Sequence, residues 1–422
     1  MIFVKLLLIF ALELPSIVTA AAQYSTPNQE LQTMFRAALL DTTKLAQVEP
    51  DGTAYVKTGD IPAEWLRDSS AQVRPYLYYA KEDPNIRALL RGIIARQAKY
   101  VQIDPYANAF TLDYRVWEEK FELDSLAYPV TLAWSYWHAT GDTSVFTPDV
   151  SKEFDTILAT MQREQDHPRN SRYTHKELLD GKGRATAYTG MIWTGFRPSD
   201  DACYYNFLIP SEMFAVVALD DMSTIERTVY HNLIKAQLAK SLRDEVQAGI
   251  QRYGRVPVSK YGYIYAYEVD GLGHAILADD ANIPNLLSAP YIGYTSANDR
   301  DYLNTREFLL SQDDPLFYSG SVARGIGSLH TPDHWVWPLA LVMQGLTASG
   351  QNEKRDVLNQ LLASDPGDHL LHESFDPNDP KRYTRLDFGW PNSLFSVFVL
   401  TAFNGVPYIP MGDPGDLQFM NE

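Results

Sequence analysis

Cysteine is almost missing from this 422-residue chain: Cys203 stands alone, so no internal disulfide can form and stability has to come from packing. Positive charge is also in short supply. Lys and Arg number 36 against 53 Asp and Glu, and the net charge of −17 sets up a field that repels polyanions and argues against nucleic acid as a partner. No apolar run beyond the first residues is long enough to cross a bilayer. Metal-ligand spacings are lacking too, with no HExxH, no Cys-His finger and no EF-hand loop, so no metal or other cofactor is expected. Adjacent Asp pairs keep magnesium or calcium binding as the rival use of clustered acids. No Pro- or Ser-rich linker divides the chain, and no motif recurs at a fixed period as in a solenoid of stacked repeats.

What is present begins with the parts of a secretory signal. Lys5 follows four apolar residues, a segment from Leu6 to Leu14 is interrupted by Glu13, and small residues cluster from Val18 to Ala22. Too short for a membrane anchor, this start predicts a signal peptide over residues 1–20, cleaved near Ala20. The expected product is one domain over 21–422 with no stable membrane insertion, exported to the periplasm or the cell exterior. A hydrophobic content of 45% allows a large core. Twenty-six Tyr and 8 Trp provide rings that can stack on sugar faces, although most belong to the core.

Apolar spacing predicts a nearly all-helical chain whose helices alternate in character. Segments 27–49, 84–103, 151–165, 226–250, 300–311 and 353–364 are charged and amphipathic, as an outer layer should be. Segments 65–80, 123–140, 209–221, 279–291, 333–349 and 388–404 are apolar around most of their circumference, as helices covered on both sides must be. An inner ring of six wrapped by an outer ring of six is an (α/α)6 barrel, a toroid of six hairpins. Tyr261, Tyr263, Tyr265 and Tyr267 alternate with smaller residues, which predicts a small β-hairpin insertion near 261–272.

Most of the conspicuous polar residues fall just before or at the start of the six apolar helices: Glu64, Arg67 and Asp68; Glu122 and Asp124; Arg197, Asp200 and Asp201; Asp279 and Asp280; His330, Asp333 and His334; His372, Glu373, Arg385 and Asp387. Parallel inner helices bring these starts to one end of the barrel. Any one Asp there is as easily a helix cap, but capping does not ask for Arg, His and Trp beside it. A pocket of carboxylates, Arg, His and Trp without a nucleophilic triad suits acid–base cleavage of a neutral glycoside, which needs one carboxylic acid and one carboxylate. Arg67 with Asp68 offers a donor and an acceptor to neighbouring hydroxyls, unless the two serve only as an internal ion pair; Asp280 and His330 are similar cases. Cys203 reads as a small apolar residue with no base beside it.

Five segments resemble glycoside hydrolase family 125, the exo-α-1,6-mannosidases: EWLRDSSAQVRPYL (64–77), GFRPSDDACYYNFLIPSEMFA (195–215), ADDANIPNLLSAPYIGY (278–294), GSLHTPDHWVWPLA (327–340) and LLHESFDPNDPKRYTRLDFGWPNSLF (370–395). The resemblance implies an (α/α)6 barrel and metal-independent, inverting release of non-reducing terminal α-1,6-linked mannose from glycans such as N-glycan or mannan fragments. It places the general base on Glu373 and the general acid on Asp200 or Asp201, of which Asp200 is preferred. Arg67, Asp68, Arg197, Asp201, Asp280 and His330 are then expected to bind substrate. The alternatives are another (α/α)6 glycosidase of different sugar specificity and a catalytically inactive periplasmic glycan-binding protein.

Overall fold

The computed structural model of the protein describes residues 14–412. Its outer helices are Gln29–Leu45, Pro84–Ile103, Pro148–Glu164, Leu233–Gly249, Arg300–Leu309 and Gln351–Ala363. Each is amphipathic. Pro148–Glu164, for instance, buries Val150, Phe154, Ile157, Leu158 and Met161, and opens on Thr147, whose hydroxyl accepts from the Val150 N–H as an N-cap.

The inner elements are Leu66–Gln72 extended by a short 3-10 turn Arg74–Tyr78, then Leu123–Thr140, Ile209–Thr228, Pro338–Leu346 and Gly389–Ala402. Every residue of Leu66–Gln72 is buried, as is every residue from Leu123 to Tyr136, which is what enclosure on both sides demands. The ring closes through the contacts of Leu66–Gln72 with both Leu123–Thr140 and Gly389–Ala402, and of Leu123–Thr140 with Ile209–Thr228.

The fourth inner element departs from expectation. In place of a helix over 279–291, only a 3-10 turn, Leu286–Ser288, forms between Ile209–Thr228 and Pro338–Leu346. Pro284 and Pro290 remove amide donors, and the free N–H groups of Leu286 and Leu287 are taken by the Asp279 carboxylate at 2.9 and 3.0 Å. The Asn285 side chain caps the turn. The hairpin is also displaced: Arg255–Val258 pairs with Gly262–Tyr265, turning where 261 was expected to begin a strand. Glu268–Val269 lies between Phe207–Leu208 and Ala275–Ile276 in a separate three-stranded sheet.

Residues 1–13 of the expected signal segment lie outside the described residues. Pro15–Gln23 is a helix against Gln29–Leu45, with Leu14, Ile17 and Ala21 in the core. No described helix is long and apolar enough to cross a membrane.

Candidate active site

Strands and loops feeding the inner elements surround a cavity of about 280 Å³ at one end of the ring. Its wall includes Arg67 and Asp68 from the first turn of Leu66–Gln72, Asp200 from the loop ahead of Ile209–Thr228, Asn282 ahead of the 3-10 turn, His330 and Trp337 ahead of Pro338–Leu346, and Glu373, Arg385 and Trp390 around the start of Gly389–Ala402. Trp65 and Phe388 add apolar surface. The cavity wall thus mixes charged side chains with aromatic rings, a composition able to hold a ligand by hydrogen bonds and by contact with its C–H faces.

Asp200 is not at a helix start. It sits at the tip of a tight turn in which the Asp200 N–H donates to the Arg197 carbonyl at 2.9 Å and the Arg197 N–H donates to the Asp201 carbonyl at 2.8 Å. Its φ of +65° places it in the left-handed region that Asp tolerates better than most residues, and the turn aims it into the cavity. Asp201 points the other way, outside the cavity wall, and its Oδ1 lies 3.3 Å from His330 Nδ1.

One guanidinium organises the acids. Arg67 Nη1 lies 2.5 Å from Glu122 Oε2 and 3.4 Å from Asp124 Oδ2, its Nη2 lies 3.1 Å from Asp200 Oδ1, and its Nε lies 3.5 Å from Asp68 Oδ2. Four carboxylates around one cation cannot all stay ionised in a buried site, so the cluster retains protons. Burial drives Glu122 well above the usual range against the pull of Arg67. Burial also pushes Asp200 up, but Arg67, the hydrogen bond from Glu122 and Lys120 outweigh it, and the net direction is down. Within this coupled pair the two shifts run in opposite directions, Glu122 up and Asp200 down, so Glu122 is the one more readily protonated. Asn108 Nδ2 donates to Asp200 Oδ1 at 3.1 Å and to Glu122 Oε1 at 3.3 Å, bracing both. Arg67 first and Glu122 second hold Asp200 down.

Glu373 faces the same cavity while 7% exposed. Burial raises its pKa, opposed by Arg385 and His330. The following strand pair, Phe375–Asp376 with Asp379–Tyr383, holds it, and the Ser374 N–H donates to Thr384 Oγ1 at 3.0 Å. Arg385 is fixed by Asp60, with Nε 2.8 Å from Oδ1. The hydrogen bond to Asp201 lifts His330 to about 9, against burial, so the ring is a cation at neutral pH between the two candidate catalytic carboxylates. Burial also pushes Asp68 to about 6.

The remaining predicted binding residues separate by position. Arg67 and Asp68 line the cavity, yet both terminal nitrogens of Arg67 are committed to carboxylates, so it holds the acids in place and Asp68 presents the free acceptor. Arg197 lies outside the cavity with its Nε 2.6 Å from Glu268 Oε1. Asp280 stands behind the wall, accepting from Asn282 N–H, Asn282 Nδ2 and Ser328 Oγ at 3.0, 2.9 and 2.7 Å, and so positions Asn282 and the turn that carries His330. Cys203 is buried, and burial raises its thiol well above the ordinary value. Glu122 stands in the sequence among the polar helix starts with no role assigned, and no motif there marks Asn108. Among the described residues, no group of three or more His, Cys, Asp or Glu is arranged to hold a metal ion.

Residues 28–400 match the family described as metal-independent alpha-mannosidase (GH125). A Streptococcus pneumoniae metal-independent alpha mannosidase, solved as a non-productive complex with alpha-1,6-mannobiose, is 42% identical and superposes with a TM-score of 0.88 over 92% of this chain and 96% of that one. The meiotically up-regulated gene 157 protein of Schizosaccharomyces pombe is 36% identical over 395 residues, covering 84% of this chain and 77% of its own. A bacterial glucoamylase solved with acarbose, 12% identical, shares the fold with a TM-score of 0.61 over 87% of this chain and 55% of that one.

Proposed function

The chain belongs to glycoside hydrolase family 125, the metal-independent α-mannosidases, and on that premise we propose that it removes non-reducing terminal α-1,6-linked mannose with inversion, using Asp200 as general acid and Glu373 as general base. The observation that carries this reading is that Asp200 and Glu373, delivered by loops far apart in sequence, line one cavity together with Trp65, Trp337, Phe388 and Trp390. A cavity of about 280 Å³ suits a single terminal residue, which supports exo action.

In the proposed mechanism, the terminal mannose enters with its C–H faces against Trp390 and its neighbours, and Asp68 accepts from a ring hydroxyl. Asp200 is 24% exposed at its side chain before substrate arrives. The sugar covers that edge and removes the water that stabilises its charge, so the proton held on Glu122 passes to Asp200. Asp200 then donates it to the glycosidic oxygen as the C1–O bond breaks. Glu373 takes a proton from a water that attacks C1 from the opposite face, which yields β-mannose; single displacement needs the carboxyls about 6.5–9.5 Å apart to admit that water.

The experiment is the Asp200→Ala variant on two substrates. Cleavage of α-1,6-mannobiose is expected to fall by about 10²–10⁴, while an aryl α-mannoside with a good leaving group, which needs little protonation, is affected far less. Equal losses on both would remove Asp200 from the acid role. Export through a signal over residues 1–20 is a further part of the proposal, supported by the residue pattern of that segment. N-terminal sequencing of protein from an expressing culture tests it, and a mature chain that retains residues 1–20 would contradict it.

A further inference from the structure

One hollow adjoins the catalytic cavity, and a second shares wall residues with the first. The first, about 520 Å³, includes Asp201, Tyr204, Arg184 and Leu329 in its wall; the second, about 600 Å³, shares Gly183 and Arg184 with it and adds Arg172 and Lys182. The catalytic cavity and the first hollow meet at two pairs of consecutive residues: Asp200 and His330 face the cavity, while Asp201 and Leu329 face the hollow. Because the general acid has to reach the glycosidic oxygen, the departing part of the substrate leaves on the Asp200 side, and the hollows continue that path. This inference rests on the reading of Asp200 as general acid.

The charges along this path are unevenly neutralised. Its acids have partners: Asp201 lies 3.3 Å from His330, and Glu177 lies 3.5 Å from Lys120. Arg197 is likewise paired with Glu268. Arg172, Lys182 and Arg184 are exposed and, among the described residues, none of them has an ion pair or a side-chain hydrogen bond. Arg184 is nonetheless held in place, with its guanidinium 3.8 Å from the centroid of Tyr204, so its donor edge stays free. Three unpaired cations along one groove stand out on a chain of net charge −17. The overall field that disfavours a long polyanion is screened beyond about 10 Å at 0.1 M salt, so these nearby cations decide the fate of a single anionic group.

We propose that the groove from Asp201 to Arg172 is an outer subsite for the reducing-end side of the substrate, selecting glycans that carry an anionic substituent, phosphate or carboxylate, beyond the scissile linkage. The Arg forks suit either group, since both accept two parallel N–H bonds.

The test compares four substrates: α-1,6-mannobiose, a neutral α-1,6-mannotriose, the same trisaccharide with a phosphate monoester on its reducing-end residue, and one with a carboxylate there. With the full chain at low salt, kcat/KM is expected to be about tenfold higher for an anionic trisaccharide than for the neutral one, with the advantage shrinking as salt is added. The variant R172A/K182A/R184A is expected to lose that advantage with mannobiose cleavage unchanged, and the milder R172Q/K182Q keeps the test available if the triple variant folds poorly. The two anionic arms show which group is read. Equal kcat/KM for anionic and neutral trisaccharides in the unsubstituted protein, or an advantage that survives the substitutions, would overturn the proposal. Should mannobiose not be cleaved at all, the mannosidase reading fails separately. Calorimetric binding of the phosphorylated trisaccharide then decides the groove alone, with tighter binding by the unsubstituted chain than by the variant supporting it and equal binding refuting it.

Discussion

Glu122→Gln isolates the proton store from the scaffold around it. The two Glu122 oxygens receive Arg67 Nη1 at 2.5 Å and Ser125 Oγ at 2.7 Å on Oε2, and Asn108 Nδ2 at 3.3 Å on Oε1. A Gln oxygen in the place of Oε2 keeps the two shorter bonds, and its amide nitrogen in the place of Oε1 still donates to Asp200. The bond lost is the long one from Asn108, which retains Glu118 Oε2 at 3.0 Å and Asp200 Oδ1 at 3.1 Å. The folding cost is therefore about 1 kcal/mol. The catalytic cost is larger, because an amide cannot transfer the proton. Asp200 must then be protonated from solvent, and even an unperturbed Asp is protonated in only about one molecule in 10³ at pH 7; Arg67 holds Asp200 below that. On α-1,6-mannobiose kcat/KM is expected to fall by about 10²–10³, equivalent to about 3–4 kcal/mol of transition-state stabilisation. An activated aryl mannoside should lose little, and the alkaline limb of the mannobiose profile should move to lower pH. Steady-state kinetics on both substrates across pH, with a thermal melt as the control for folding, make the assay. Mannobiose activity within about threefold of the unsubstituted protein, with the same pH profile, would refute a proton shared between Glu122 and Asp200.

Glu373→Gln removes the proposed base and should lower turnover of both substrate types by about 10²–10⁴, because water attack is needed whatever the leaving group. As Glu373 must be ionised to act and burial raises its pKa, activity should fall on acidification at a pH above the ordinary Glu range, which a pH–rate profile of kcat/KM reads directly. Arg67→Met leaves four carboxylates without their shared cation and should destabilise the fold by about 3–5 kcal/mol, measured by urea unfolding. His330 has a folded pKa of about 9, above its unfolded value, so its contribution to stability is complete below about pH 6.5 and is lost as pH rises through 9; His330→Asn should flatten that part of a melting-temperature profile.

The ring of helices was legible because enclosure and exposure leave different residue patterns. Leu123–Thr140 has no charged face below its first turn, whereas Pro148–Glu164 repeats its apolar residues at helical spacing. The fourth inner element is a turn where its apolar run predicts a helix, because Pro284 and Pro290 interrupt that run; tertiary enclosure there requires burial, not a helix, and Asp279 satisfies the backbone instead. The hairpin was displaced because a run of alternating Tyr marks strand character without marking the turn, which Gly262 fixes with a φ of +89°. At the site, residue types at the element starts indicated which loops meet. They could not show direction: Asp200 and Asp201 are chemically the same in sequence, and only the left-handed turn at Asp200 sends one into the cavity and the other to His330. Arg67 likewise reads as a possible grip on substrate; only its neighbour Asp68 is local, and its other three carboxylate partners, Glu122, Asp124 and Asp200, come from segments whose meeting no local pattern encodes.

The most direct test of two carboxyls acting from opposite faces of one sugar is the anomer released first. With purified protein and α-1,6-mannobiose followed by proton NMR from the earliest time points, β-mannose should appear before mutarotation generates its partner. Initial release of α-mannose would mean that Glu373 does not act as base for a single displacement, and the account of the site would be wrong.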